Sequence, residues 1–175
     1  MSRKQRLSAD DWLRAGLQAL TASGPEALKA EPLARRLDTT KGSFYWHFED
    51  VPRYRQALLN FWRDLTAKMP KAPTEKPEAV AQLHQMMRDG FGGDMATEAA
   101  MRSWAATDPA VHATLADLDR ARLDHFAAIL RQLGITNPEI AIALYAAKVG
   151  MSSLSDASAD EGALTTLVDL VLALR

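Results

Sequence analysis

The segment from Lys41 to Phe48 reads KGSFYWHF and concentrates side chains that can bond phosphate oxygens. On a helix, Phe44 and Phe48 share one side because they are four positions apart, and we expect both in the core. The remaining sides carry a cation, two hydroxyl groups, an indole and an imidazole, with no carboxylate. These predicted contact residues are Lys41, Gly42, Ser43, Tyr45, Trp46 and His47.

The residues that open this segment also favour an anion. Thr40 can cap the helix, and the backbone N–H groups of its first turn then attract negative charge. Gly42 disfavours a helix by about 1 kcal/mol relative to alanine, which makes sense if a partner approaches the backbone closely. If Tyr45, Trp46 and His47 belonged to the core instead, opposite sides of one very short helix would both need burial.

The elements around this segment predict a helix-turn-helix. Leu33, Ala34 and Leu37 give a short preceding helix an apolar side, and the sequence DTT at positions 38–40 forms a turn. The second helix of such a motif enters the major groove of DNA, where phosphate contacts set the register and base edges give sequence preference. Residues 1–69 hold 12 Lys/Arg and 8 Asp/Glu, against 9 and 14 in residues 70–175, which favours an anionic partner for the first part.

The rest of the chain is predicted to be helical throughout. Ser8 and Asp11 form a capping-box pattern, Gly24-Pro25 ends the first helix, and Gly134 ends a later one. The segment PKAPTEKPE at positions 70–78 is predicted to be a linker. Further helices are expected near 51–69, 78–90, 95–107, 109–133, 138–154 and 160–174.

The sequence carries no recognisable catalytic or metal-binding motif. There is no cysteine, which is compatible with a reducing cytoplasm, and the four histidines are scattered without the spacing of metal ligands. No run of 18 apolar residues occurs, so no membrane span is expected. We therefore expect a cytoplasmic protein that is not an enzyme and that binds no metal or cofactor.

The run LARRLDTTKGSFYWHFED closely resembles the helix-turn-helix of TetR-type (tetracycline-repressor-like) transcriptional regulators. Three later segments, MRSWAATDPAV, LDRARLDHF and LRQLGI, also resemble the family. The resemblance implies an all-α homodimer with a three-helix DNA-binding head at 1–50, a connecting helix at 51–69, and a ligand-binding and dimerisation bundle at 70–175. A small-molecule effector of unknown identity would bind the bundle and release DNA.

Residue by residue, the resemblance places Thr40, Tyr45 and His47 at phosphate contacts, while Thr39 completes the predicted DNA-binding set. Positions that meet base edges or the adjacent backbone are Lys41, Gly42, Ser43 and Trp46. Lys29 stands where the family often has a threonine that faces the phosphates.

Three positions depart from the family pattern. Asp38 occupies a turn position usually held by glycine, and Glu31 adds a negative charge near the expected DNA face. Val51 stands where a lysine or arginine is common, so Arg53 or Arg55 is the expected replacement.

Two further sets of residues are predicted for the bundle. Large apolar side chains and one histidine are candidates for the effector pocket: Phe61, Trp62, Met86, Met87, Phe91, Trp104, His125, Phe126 and Met151. Small or apolar residues of the last two helices are candidates for a two-fold dimer interface: Ala143, Ala147, Gly150, Leu167, Leu170, Val171 and Leu174.

The leading hypothesis is a dimeric, ligand-responsive DNA-binding regulator, with repression favoured, acting on a palindromic operator. A second hypothesis is a small-molecule-binding helical protein whose head no longer binds specific DNA, and Asp38, Glu31 and Val51 motivate it. A third hypothesis, an all-α enzyme, has no catalytic signature in its support.

Overall fold

The computed structural model describes residues 7–89, 94–151 and 160–173, and within these ranges every regular element is helical. The elements are α1 (Ala9–Ser23), a 3-10 turn (Pro25–Ala27), α2 (Ala30–Arg36), α3 (Lys41–Tyr45), α4 (Val51–Thr66), α5 (Lys76–Asp89), α6 (Met95–Ala105), α7 (Pro109–Gln132), α8 (Pro138–Met151) and α9 (Asp160–Ala173). The predicted all-α class is confirmed.

Capping residues set several of the helix ends. The Ser8 hydroxyl accepts a hydrogen bond from the Asp11 N–H at 3.3 Å, and the Asp11 carboxylate accepts one from the Ser8 N–H at 2.8 Å. Gly24 and Gly134 end α1 and α7 with φ angles of 74° and 84°. Residues with a side chain rarely adopt such positive φ angles, whereas glycine adopts them easily. The predicted capping box and both glycine stops are confirmed.

Some helix boundaries differ from the sequence prediction. Helix α3 ends at Tyr45 rather than His47, because the N–H groups of His47 and Phe48 both turn back to the Phe44 carbonyl at 3.0 Å. Helix α5 begins at Lys76, so the last three residues of the predicted linker 70–78 are helical. The linker prediction was wrong there, since proline and acidic residues are also compatible with a first helical turn.

The chain forms two compact units by its internal contacts. The first comprises residues 1–65 and 96–114, and the second comprises residues 66–95 and 115–175. This division concerns packing, whereas the predicted domains 1–50, 51–69 and 70–175 concern function and stay a prediction.

Aromatic side chains form the centre of the first unit. The Phe44 ring is fully buried, and its centroid lies 5.4 Å from that of Trp12 and 5.1 Å from that of Tyr54. Phe48 is also buried and packs edge-on against Tyr54 at 4.9 Å. The prediction that Phe44 and Phe48 belong to the core is confirmed.

One close approach joins α1 to α4. The Tyr54 hydroxyl donates to the Trp12 carbonyl at 2.9 Å, and its burial raises the pKa of Tyr54. The hydroxyl passes directly over Gly16, where an added Cβ would overlap it. Gly16 is therefore required by packing, although it lies inside a helix.

The second unit has its own apolar core. Helices α5, α7, α8 and α9 contribute its fully buried side chains, which include Met87, Phe126, Ile129, Leu144 and Val168. Helix packing of this kind buries one apolar stripe of each helix, which accounts for the helical period of these residues.

We predict that Gly16→Ala destabilises the protein by about 1–3 kcal/mol, because overpacking outweighs the gain in helix propensity. Tyr54→Phe alone should lower the stability by about 1 kcal/mol, because its hydrogen bond is lost. Adding Tyr54→Phe to Gly16→Ala should cost less than the sum of both, since the overlapping atom is gone. Denaturant unfolding of the four proteins measures this coupling.

Gly162→Ala in α9 is the matched control, since a Cβ there meets no atom within 4 Å. It should leave stability unchanged or raise it. Strict additivity of Gly16→Ala and Tyr54→Phe would contradict the proposed overlap.

Candidate nucleic-acid interface

Helix α3 depends on its neighbours for its position. It has five residues, too few for stability in isolation. The Thr40 hydroxyl accepts a hydrogen bond from the Ser43 N–H at 3.3 Å, and this cap fixes the start of the helix. The buried Phe44 ring fixes its rotation, so the other side chains of α3 are directed away from the core.

The predicted DNA-binding residues of this segment reach the surface. Trp46 is 79% exposed and Tyr45 is 46% exposed, and the Lys41 ammonium lies 5.9 Å from the centre of the Tyr45 ring. Lys29, Thr40, Lys41 and Gly42 are exposed, while Thr39, Ser43 and His47 are half-buried. Lys41 and Tyr45 therefore lie on the same side of the helix.

A depression of about 410 Å³ lies beside the start of α3. It is lined by Lys29, Ala30, Glu31, Pro32, Arg35, Lys41, Tyr45 and Val51. Three cations and one carboxylate line it, so its charge suits a phosphate backbone. Arg35 was not predicted as a site residue, and only its place in the last turn of α2, next to the DTT turn, signals it.

Two of the three cations that line the depression, Lys29 and Arg35, form ion pairs within the free protein. The Lys29 ammonium lies 2.9 Å from the Glu26 carboxylate, and hydrogen bonding by Lys29 lowers the pKa of Glu26. Arg35 lies 3.5 Å from Glu31. These side chains are exposed, and exposed ion pairs contribute little, so a phosphate can compete with the carboxylates.

The structure separates the two arginines expected to replace a cation at Val51. Arg53 is exposed, and its guanidinium lies 4.0 Å from the Glu49 carboxylate. Arg55 turns the other way and donates to the Pro25 carbonyl at 3.1 Å. Val51 itself lines the depression. Of the two arginines, Arg53 has the exposure that a phosphate contact requires.

The backbone of the turn has two unusual positions. Asp38 has a φ of 49°, a left-handed conformation that glycine adopts most easily and aspartate tolerates. At Gly42, an added Cβ would meet only the Thr40 hydroxyl at an ordinary 3.7 Å. Packing among the described residues therefore does not require glycine at position 42, in contrast to Gly16.

Solved structures of regulators share this architecture. A transcriptional regulator from Rhodococcus sp. Rha1 is similar with a TM-score of 0.72 and 18% identity, over 95% of this chain and 97% of that one. The chain has the TetR-type fold. The TetR transcriptional regulator of Agrobacterium tumefaciens gives a TM-score of 0.68 at 20% identity, covering 95% of this chain and 92% of the other.

A third structure with this TetR-type fold is SmeT, the repressor of the Stenotrophomonas maltophilia multidrug efflux pump SmeDEF. Its TM-score is 0.64 at 17% identity, over 97% of this chain and 90% of SmeT. No protein-family profile matches the chain. No curated protein sequence matches it either.

The residues predicted to line the effector pocket fall in both units of the TetR-type fold. Phe61, Trp62 and Trp104 belong to the first unit. Met86, Met87 and Phe126 come together in the core of the second unit, where Met151 packs against them. Phe91 lies outside the described residues.

His125 is half-buried beside a polar partner in the second unit. Its Nε2 lies 3.4 Å from the side-chain nitrogen of Gln82, which also donates to the Lys71 carbonyl at 3.1 Å. The Gln82 side-chain oxygen is buried and has no hydrogen-bond partner. Burial lowers the pKa of His125, so the imidazole is neutral near pH 7.

A second polar network was not predicted from the sequence. The Tyr145 hydroxyl donates to the Asp119 carboxylate at 2.5 Å and accepts from Arg122 at 3.3 Å. From the sequence alone, the charged run of Asp117, Asp119, Arg120, Arg122 and Asp124 is interpreted as a solvated helix face, but Arg122 is 1% exposed. That interpretation was wrong for Arg122, and Asp119 is half-buried too. Burial, with the hydrogen bond to Asp119, raises the pKa of Tyr145 to about 12.

The residues predicted for the dimer interface differ in exposure. Ala143 and Gly150 of α8 are exposed, Leu170 of α9 is 60% exposed, and Ala147 and Leu167 are half-buried. Val171 lies in the core of the second unit. Leu174 lies outside the described residues. Ile142, 56% exposed, extends the apolar surface of α8.

The described residues contain neither a cluster of metal ligands nor a membrane-spanning helix. Within residues 7–89, 94–151 and 160–173, no three histidine, aspartate or glutamate side chains group as metal ligands would. Over the same ranges, no helix combines the length and apolar character needed to cross a membrane.

We predict that Gly42→Ala raises stability by up to about 1 kcal/mol, because the Cβ has room and alanine favours helices. The same change should weaken DNA binding at least tenfold, since the Cβ would stand between α3 and an approaching backbone. Thermal unfolding and a DNA titration on one preparation measure both. Unchanged DNA affinity would show that nothing approaches Gly42 closely.

We predict that His125 makes the protein less stable in mild acid. Its folded pKa is lowered, so unfolding takes up a proton once the pH falls below about 6.5, the value of a free histidine. The stability difference between wild type and His125→Gln should be constant above that pH. Below that pH, the wild type should lose more stability than His125→Gln. A difference that stays constant in acid would contradict this prediction.

Proposed function

We propose that this chain is a DNA-binding transcriptional regulator whose α2–α3 helix-turn-helix contacts DNA. The observation that carries the proposal is the division of α3 into two sides. Phe44 is buried against Trp12, while hydroxyl, cationic and aromatic groups face outward next to a depression lined by three cations. The TetR-type fold supports the same conclusion, since the similar structures are transcriptional regulators.

The side chains divide into two roles at this interface. Thr39, Thr40, Tyr45 and His47, with Lys29, bond phosphate oxygens and fix the register. Lys41, Ser43 and Trp46 meet base edges or the adjacent backbone, and Gly42 lets that backbone approach. Arg53 supplies the cation that Val51 lacks, because it is exposed at the start of α4.

We propose that the regulator acts as a homodimer through α8 and α9. Exposed apolar side chains such as Ile142 and Leu170 support this proposal, because a second copy would remove them from water. Two heads about 34–36 Å apart would then contact successive major grooves of a palindromic operator. The homodimer would be a repressor in the cytoplasm.

A small-molecule effector would release the repressor from DNA by favouring a dimer with the wrong head spacing. The buried apolar residues of the second unit, with Gln82 and His125 as polar anchors, are its proposed contacts. Gln82 favours this role because its buried side-chain oxygen has no hydrogen-bond partner. Such a group gains from a ligand that donates a hydrogen bond.

A second candidate function is effector binding without specific DNA recognition. Two carboxylates near the interface favour it. Glu31 lines the depression, and Asp38 occupies the turn. Sequence-specific DNA binding would exclude this alternative.

The test of the proposed function is selection of bound duplexes from a random pool, followed by a salt titration on the enriched sequence. We expect a palindrome, and an affinity that falls steeply with salt because phosphate contacts release counterions. Repeating the selection after denaturation and refolding removes any effector carried through purification. Weak binding without enrichment in both preparations would favour the second candidate function.

Three variants of α3 test the proposed roles on the enriched duplex. Tyr45→Phe removes only a hydroxyl, so it should weaken binding to all sequences about equally. Ser43→Ala or Lys41→Ala should change sequence preference, at about 1–3 kcal/mol per lost base contact. If Tyr45→Phe unfolds the protein instead, Tyr45 belongs to the core.

The proposed dimer is tested with Leu170→Lys, which places a charge on the exposed surface of α9. We expect a folded monomer by sedimentation and a large loss of affinity for the full palindrome, with half-site binding retained. Leu65→Lys is the control, since Leu65 is 47% exposed in the first unit. A dimer that survives Leu170→Lys would place the interface elsewhere.

A further inference from the structure

A second cavity, of about 240 Å³, lies within the first unit beside the middle of α4. Its lining residues are Pro52, Arg55, Gln56 and Leu59 of α4, Trp104 of α6, and Asp108, Ala110 and Val111 at the start of α7. It shares no lining residue with the depression beside α3. The proposed DNA interface therefore leaves it unexplained.

The walls of this cavity are largely apolar. Leu59, Trp104 and Val111 are each at most 3% exposed. Cavities with apolar walls and a few polar groups are the usual form of small-molecule sites, and their volume is commonly about 300–1,000 Å³. At about 240 Å³, this one suits a ligand smaller than a typical drug.

The polar side chains that line the cavity differ in whether their hydrogen-bonding atoms have partners. The Asp108 carboxylate accepts hydrogen bonds from the N–H groups of Ala110 and Val111, at 3.0 and 3.3 Å, and so caps α7. Arg55 donates from one terminal nitrogen to the Pro25 carbonyl at 3.1 Å. Its Nε is buried and has no hydrogen-bond partner among the described residues.

The lining residue that carries an unsatisfied donor is thus a cation, Arg55. The Asp108 charge is compensated by backbone N–H groups and by the positive end of the α7 dipole. A guanidinium presents several N–H groups in one plane and bonds carboxylates with two of them at once. These observations favour an anionic ligand rather than a cationic one.

We propose that this cavity binds a small carboxylate with an apolar body. Arg55 bonds the carboxylate, while Leu59, Trp104 and Val111 cover the apolar part. Because Arg55 also holds the Pro25 carbonyl between α1 and α2, occupancy of the cavity acts directly on a contact of the helix-turn-helix unit. This site is distinct from the effector contacts proposed for the second unit.

The test is calorimetric titration of the intact protein with phenylacetate, in the absence of DNA. Phenylacetamide, nearly the same shape without the charge, is the matched probe. We expect saturable binding of phenylacetate, and binding of phenylacetamide at least about tenfold weaker, because a charge-assisted hydrogen bond is lost. Benzoate and hexanoate extend the series to a shorter and a linear apolar body.

Variants of the lining residues that change its charge should change the affinity in opposite directions. Arg55→Gln should weaken phenylacetate binding at least about tenfold. Gln56→Glu should weaken it too, because it adds a negative charge to the lining. Asp108→Asn should strengthen it several-fold, because asparagine still caps α7 while the repulsion is removed. Asp64→Asn, on α4 but outside the lining, should leave the affinity unchanged.

Three results would overturn the proposal. The first is a lack of saturable binding by all three carboxylates. The second is equal binding of phenylacetate and phenylacetamide. The third is weaker phenylacetate binding by Asp108→Asn together with stronger binding by Gln56→Glu, which would show that the carboxylate does not bind through the positive charge of the lining. If Arg55→Gln fails to fold, Gln56→Glu and Asp108→Asn decide the question, since neither touches the Pro25 contact. Failure of DNA binding would not affect any of these measurements.

Discussion

The burial of Phe44 is the constraint on which the proposed interface depends. Helix α3 is too short to persist by itself, so its position comes from one ring held among Trp12, Phe48 and Tyr54. Tyr54 in turn is fixed by its bond to the Trp12 carbonyl and by the space that Gly16 leaves. The orientation of every outward-facing group on α3 thus follows from packing on the opposite side of the same helix.

Two glycines of this region illustrate how differently the same residue type can be required. Packing inside the protein requires glycine at position 16, because the Tyr54 hydroxyl occupies the space that a side chain would need. At Gly42 an added Cβ would meet only the Thr40 hydroxyl among the described residues, so packing within that part of the chain does not require glycine. The sequence cannot distinguish them, since each is an isolated glycine in a helical pattern. Only the neighbouring atoms separate a packing role from an interface role.

The sequence predicted local structure better than it predicted partners in space. Helix period and caps identified the helices, because both are signals within a few residues, as with Ser8 and Asp11. It could not distinguish Arg53 from Arg55, because which arginine turns inward depends on the Pro25 carbonyl, 30 positions away in the chain. The cavity beside α4 and the burial of Arg122 could not be predicted for the same reason, because segments distant in the sequence create both.

The four tryptophans of this chain have an uneven distribution that gives the protein an intrinsic optical probe. Trp12, Trp62 and Trp104 are at most 3% exposed, whereas Trp46 is 79% exposed on the proposed interface. A soluble collisional quencher will therefore reach the indole of Trp46 but not the three buried indoles. The red-shifted, quenchable part of the fluorescence comes from Trp46, at the end of α3, so contact at this surface can be followed without attaching any dye.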